Sequence, residues 1–277
     1  TEPYMTVDTS QGSLYSTADM PNDRKTILGV FSHPDDESMG PGGTLAKYAA
    51  EGHRVAFVTA TDGGAGRLYD QRPSDPGELR AIRRMETTKA ARILGIDFLG
   101  FLGWKDGKLK DSNILDLESE IAGIIRRQKA DILLTFHGSG ISYHPDHRVV
   151  ALALQGAFLG AGRREWYAGT PTEEIPPHTP SRLYFYTLRR SLIEKVDWPR
   201  VVYASSDDEI TTVVDTGAFS DLRWKAIQAH QSQQGGPPFK TLHEAGMFAE
   251  ECFVRIFPSP RPGEPVETGL TGGPVSS

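Results

Sequence analysis

Short apolar runs of strand length alternate with amphipathic stretches of helix length, and this alternation restricts the fold more than any other feature. "TILGVFS" (26–32), "HRVAFVTAT" (53–61), "IDFLGFLG" (96–103) and "ADILLTFHG" (130–138) read as strands. Residues 37–52, 78–95, 114–129 and 145–161 read as the helices that separate and follow them. In 78–95 the helical stripe is Leu79, Ile82, Met85, Ala90, Ile93 and Leu94. Strands that are apolar on both faces belong to a parallel sheet covered on both sides. Right-handed crossovers then give an α/β fold: a Rossmann-like, doubly wound, mostly parallel sheet with helices on both faces. Residues 182–188 and 210–216 add two strands, 218–233 a helix, and 252–257 one more strand, expected at the edge.

Three segments depart from this pattern. Residues 61–77 form a Gly- and Pro-rich loop too long for an ordinary connection, and 164–181 read as an insertion with four prolines. Both are expected to shape specificity. Residues 258–277 form a Pro/Gly-rich tail with little to bury. The expected organisation is an N-terminal extension (1–24), one α/β domain (25–257) and the tail (258–277). No internal repeat is present.

The charge balance narrows the partners. Thirty basic and thirty-six acidic residues give a net charge of −6, which gives no sign of a surface for nucleic acid or an anionic membrane. The single cysteine, Cys252, excludes an intrachain disulfide and a CxxC metal site. The first 25 residues lack the basic and apolar regions of a signal peptide. No apolar run reaches the ~18 residues of a membrane span. A cytoplasmic protein acting on a small molecule is expected, with self-association left open.

Two polar motifs follow predicted strands. In "VFSHPDDESMG" (30–40), His33, Asp35 and Asp36 stand at the carboxyl end of the first strand, where ligands bind in doubly wound sheets. One aspartate suffices to cap the next helix. Two adjacent carboxylates beside an imidazole repel each other unless a cation compensates. In "YHPDHR" (143–148), Pro145 suits the first helical position and His144 the cap, while His144 and His147 share one side of a turn. Taken singly, each motif also reads as cap and turn chemistry. Together, on one edge of the sheet, they describe nitrogen and oxygen ligands with a position left open, as in a catalytic zinc site. Gly40, Gly42 and Gly43 make no phosphate loop, which disfavours nucleotide binding.

These residues resemble the LmbE-like, or PIG-L, family of zinc-dependent N-acetylglucosaminide deacetylases. The resemblance covers roughly residues 25–160 through "HPDDE" (33–37) and "HPDHR" (144–148), with weaker echoes to about 234. It implies one zinc ion held by His33, Asp36 and His147, with Asp35 as general base. It also implies that His144 stabilises the oxyanion and protonates the leaving amine. Arg83, with Glu86 as its companion, Asp106 and His230 are implied near the substrate, and Tyr143 lies close to a tyrosine of several members. The implied activity is removal of an acetyl or small acyl group from the amide nitrogen of an amino sugar.

Read from the residues alone, Arg83 and Glu86 also fit a pair on one helix, Asp106-Gly107 a turn, and His230 a packed helix residue. Trp104 and Tyr69 fit sugar stacking or ordinary packing. Two rivals stay open: an amidase acting on a non-sugar amide, and a metal-containing sugar-binding protein without turnover.

Overall fold

In the computed structural model, residues 24–66, 75–196, 201–233 and 237–272 are described. Seven strands form one sheet: β1 (Thr26–Phe31), β2 (Arg54–Thr61), β3 (Asp97–Trp104), β4 (Ile132–Phe136), β5 (Arg182–Thr187), β6 (Thr212–Asp215) and β7 (Glu250–Phe257). Their order is β3-β2-β1-β4-β5-β7-β6. The first five pair in parallel, and β7 runs antiparallel to both β5 and β6. The fold is therefore α/β and doubly wound, with its change of direction between β1 and β4. The expected edge position of the last strand is corrected, since β7 lies inside the sheet and the shorter β6 closes the edge.

Alternation along the strands feeds two cores. Leu28 and Val30 of β1 join the core under α4 (Ile114–Gln128) and α5 (Pro145–Gly160). Ile27 and Phe31 join the core under α2 (Gly42–Ala50), α3 (Pro76–Leu94) and α7 (Ser220–Ala229). The helix expected over 37–52 is two: α1 (Asp36–Met39) and α2, separated at Gly40-Pro41. Proline lacks the N–H and disfavours helical backbone before it, so the break falls there. Glu251 of β7 repairs the new helix start by accepting from the N–H groups of Gly43 and Thr44, both at 2.8 Å. Short helices α6 (Arg190–Ile193) and α8 (Pro237–Glu244) complete the set named here.

Three further expectations need correction. Met85 is 66% exposed, because the inner face of α3 holds Leu79, Arg83, Glu86 and Thr87 instead. The insertion at 164–181 folds as two short helical turns near the amino end of β4, where His178 Nε2 bonds Ala130 O at 2.9 Å and Ser181 N bonds Asp131 O at 2.8 Å. That is the end of the sheet opposite the two motifs, so it does not line their cleft. The tail expectation holds for the exposed residues 258–266 but fails at Glu267 and Leu270. Glu267 pairs with Thr211 and Val213 through its backbone, and Leu270 is fully buried. The extension 1–23, loop residues 67–74 and the end 273–277 lie outside the described residues. Among the described residues, no helix is long and apolar enough to cross a membrane.

Glu267 is the anchor of that last segment. It accepts from Arg255 at 2.5 Å, Arg182 at 2.8 Å, Tyr184 Oη at 2.9 Å and Thr212 Oγ1 at 3.1 Å. Burial alone would raise its carboxyl, but the Arg182 and Tyr184 bonds outweigh it and hold the group below the usual range. Its stabilising contribution is complete above the unfolded-state carboxylate range and disappears as pH falls through the lower folded value. Glu267→Gln should therefore cost roughly 1–3 kcal/mol near neutral pH, with the gap to wild type closing in acid. Urea titrations across that pH range measure both effects; a gap that stays constant in acid refutes the assignment.

Candidate active site

β1 and β4 are neighbours, so the segments leaving their carboxyl ends meet. The first runs directly into His33, Asp35 and Asp36. The second passes through residues 137–143 to His144, whose Nδ1 accepts the Asp146 N–H at 3.2 Å and caps α5. Phe136, the last residue of β4, stacks on the His147 imidazole at 4.8 Å and 13°. Its ring fills the space where a side chain on Gly40 would sit, 2.5 Å from an added Cβ. Glycine at 40 thus lets the first motif close on the second.

Three imidazoles converge there, with ring centroids 4.7–5.3 Å apart. Their partners dictate where the protons sit. His147 Nδ1 faces the Gly140 carbonyl at 3.1 Å and must donate, so in the neutral ring Nε2 presents a lone pair. His33 Nε2 faces Asp106 Oδ1 at 3.1 Å and Asp146 Oδ2 at 3.4 Å, which makes it the donor and, in the neutral ring, leaves the lone pair on Nδ1. His144 is the reverse case: its Nδ1 accepts, so Nε2 bears the proton.

Those two inner lone pairs, His33 Nδ1 and His147 Nε2, are 3.1 Å apart. Facing lone pairs repel unless a proton or a metal cation lies between them. Asp36 completes the group, with Oδ1 at 3.4 Å from His147 Nε2 and Oδ2 at 3.7 Å from His33 Nδ1. Two ligands on one tetrahedral zinc stand roughly 3.3–3.4 Å apart, so the two imidazole nitrogens fit such an ion in type and nearly in spacing, while Asp36 presents a different oxygen to each histidine. Donor atoms that lie within 4.8 Å of one another also group as His33–His144–His147 and His33–Asp106–Asp146.

The field around His33 favours positive charge. Burial alone would lower its imidazole, yet bonds to Asp106 and Asp146 and the Asp36 charge raise it to about 10. Burial would raise Asp36, but the nearby His147 and His33 bring it down to about 2. Its Oδ2 also accepts from Ser32 N at 3.1 Å and His33 N at 2.9 Å.

Asp35 differs from Asp36 in every respect that matters for chemistry. Its backbone is left-handed, with φ 99°, a conformation that costs a non-glycine residue on the order of 1–3 kcal/mol. Burial pushes its carboxyl up to about 6, with Arg83 pulling down and Asp36 pushing up. Arg83 Nη2 donates to Asp35 Oδ2 at 3.1 Å and also to Pro34 O. A carboxyl poised near neutrality beside this histidine cluster can accept a proton there.

The remaining expected residues are divided. Asp106 reaches the site, bonded to His33 and to Ala65 N, and Tyr143 is 51% exposed at its approach with φ 58°. Arg83 is 3% exposed and bonded to Asp35, Pro34 and Gly63, which turns it toward the Asp35 carboxylate and away from solvent. Its expected companion Glu86 holds Ser232 instead, at 2.7 and 2.6 Å. His230 is fully buried against Glu37 at 2.7 Å and cannot touch a substrate directly. Trp104 donates its indole N–H to Glu120, and Tyr69 lies outside the described residues. Sequence reasoning missed Asp146, fully buried, which fixes His33 and accepts from Gly107 N at 2.7 Å. The repeated His-Pro-Asp in both motifs was the available signal.

Comparison with known proteins supplies the family. Residues 28–158 match the family model PIG-L, described as GlcNAc-PI de-N-acetylase. A 1D-myo-inositol 2-acetamido-2-deoxy-alpha-D-glucopyranoside deacetylase of Thermobispora bispora is 30% identical over 292 residues, covering 90% of this chain and 95% of the relative. The protein of the same name from Thermomonospora curvata is 29% identical over the same shares. Among solved structures, N,N'-diacetylchitobiose deacetylase from Pyrococcus horikoshii superposes with a TM-score of 0.67 at 24% identity, covering 84% of each chain. A 4-carboxy-2-hydroxymuconate hydratase, GalB of Pseudomonas putida, scores 0.65 at 20% identity, over 86% of this chain and 98% of that one. These structural likenesses show the fold, which hosts more than one chemistry. The near full-length relatives and the matching motif segment place this chain in the PIG-L family, as a deacetylase-type hydrolase.

Proposed function

We propose that this chain hydrolyses the acetamide of an N-acetylglucosamine unit in a small glycoconjugate, of the kind named for its inositol-glycoside relatives, releasing acetate and a free amine. The observation that carries the reading is the set of hydrogen-bond partners on the histidines: the outer contacts of His147 and His33 leave their inner nitrogens, 3.1 Å apart, to share a cation or a proton. His33, Asp36 and His147 would hold one zinc ion. Zinc bound there supplies a Lewis acid, making water more acidic and drawing electron density from an amide carbonyl.

The chain's own groups do the rest. Asp35, braced by Arg83, takes a proton as the water oxygen adds to the carbonyl carbon. His144, with its proton fixed on Nε2, donates to the carbonyl oxygen as charge builds there. The proton taken by Asp35 then passes to the amide nitrogen, the C–N bond breaks, and acetate and the amine depart. Asp106 and Tyr143 are the residues assigned to substrate at the mouth. The reading includes a cytoplasmic place of action and neither nucleic acid nor membrane as partner.

Acetate release from a panel of N-acetylglucosaminides by zinc-loaded enzyme tests the reaction. Asp35→Ala should lower turnover by at least about a hundredfold while binding zinc normally. His147→Ala should lose zinc and activity together, as read by metal analysis after dialysis. Zinc retained in His147→Ala contradicts the ligand set; undiminished turnover in Asp35→Ala contradicts the base. If no member of the panel releases acetate, the substrate assignment fails.

A further inference from the structure

The left-handed backbone of Asp35 needs something to hold it, and the holding contacts lead away from the site. Its N–H donates to Glu37 Oε2 at 3.1 Å. Glu37 is fully buried, and its other oxygen accepts from Ser38 Oγ at 2.6 Å and His230 Nε2 at 2.7 Å. His230 is itself fully buried, and its Nδ1 has no hydrogen-bond partner. A buried imidazole with one nitrogen unsatisfied is unfavourable for stability alone, so its placement calls for another reason. The segment bearing it is tied to the same motif a second time: Arg223 donates to Ser38 O at 3.2 Å and to Met39 O at 2.7 Å.

We infer that His230 is a positioning residue for the general base: through Glu37 it fixes the Asp35 peptide in its left-handed conformation and so aims the carboxylate. Arg83 holds the same residue from its side-chain end, so Asp35 is clamped at both backbone and carboxylate. Without His230, Glu37 keeps only its near neighbours as donors, Ser38 Oγ and the Asp35 N–H, and nothing from the rest of the fold fixes the acceptor of that N–H. Misplacing a reacting group by about 1 Å can reduce turnover by about a hundredfold without touching the substrate. The catalytic part of this inference rests on the proposed deacetylase reaction; the backbone part does not.

The test uses zinc-loaded full-length protein and two readouts. In His230→Ala, kcat should fall roughly 10- to 100-fold with KM and zinc content unchanged. Hydrogen exchange at the Asp35 amide should speed up by at least about tenfold. His230→Gln, whose amide can still donate to Glu37, should recover both to within about threefold and covers the case in which the alanine variant folds poorly. Glu37→Ala should reproduce the defect, and adding His230→Ala to it should cost little more. Glu267→Gln serves as a structural control: it lowers stability but should leave kcat and Asp35 exchange unchanged. Wild-type exchange at Asp35 in His230→Ala overturns the inference, as does a loss residing in KM or in zinc content. If wild-type enzyme releases no acetate, the deacetylase reading fails, and amide exchange alone decides whether His230 holds Asp35.

Discussion

Two imidazole nitrogens held 3.1 Å apart, each with its outer nitrogen already committed as a donor, set the terms for the rest of the molecule. That arrangement is unfavourable in a neutral interior and favourable around a cation. Keeping it requires fixed outer partners, and each comes from a different part of the chain. Gly140 lies in the loop after β4, Asp146 in the first turn of α5, and Asp106 in the turn after β3. The doubly wound sheet is suited to this task because β1 and β4, adjacent at the change of direction, deliver their loops to one place.

The same region concentrates buried acids: Asp36, Glu37, Glu86, Asp146 and Glu251 are each at most 8% exposed. None is left without donors. Glu251 takes two backbone N–H groups and Arg223, Glu86 takes Ser232, and Asp146 takes Gly107 and Leu109. Distributing the donors in this way lets the interior tolerate charge that would otherwise destabilise it. The apolar faces of the sheet lie on either side of these acids and supply the hydrophobic stabilisation that offsets the strained backbone at Asp35.

The order of strands and helices was legible because both-face apolar runs such as residues 26–31 and 132–136 admit few other readings. The placing of His33, Asp35, Asp36, His144 and His147 at one sheet edge was legible for the same reason. What sequence could not give was which partner each polar group would find. Arg83 and Glu86, three apart on a helix, look like a pair, yet they face different neighbours brought in from residues 35 and 232. The last strand lies inside the sheet because β7 inserts antiparallel between β5 and β6, a pairing that the apolar pattern of residues 252–257 alone does not specify. Met85 fitted the helical period but lies outside it because polar residues, needed at the site, occupy the inner face.

The ties between residues 37–44 and the late part of the chain span very long stretches of sequence. His230 meets Glu37 across 193 positions, and Glu251 meets Gly43 across 208. Closing such distances costs chain entropy and slows assembly relative to local contacts. During synthesis, the first motif therefore emerges long before the groups that hold it in shape. A nascent chain that stops at residue 158, the end of the family match, contains both histidine motifs but neither the clamp on Glu37 nor the cap on α2. The setting that holds the first motif therefore cannot be complete until the chain has been made through residues 230 and 251.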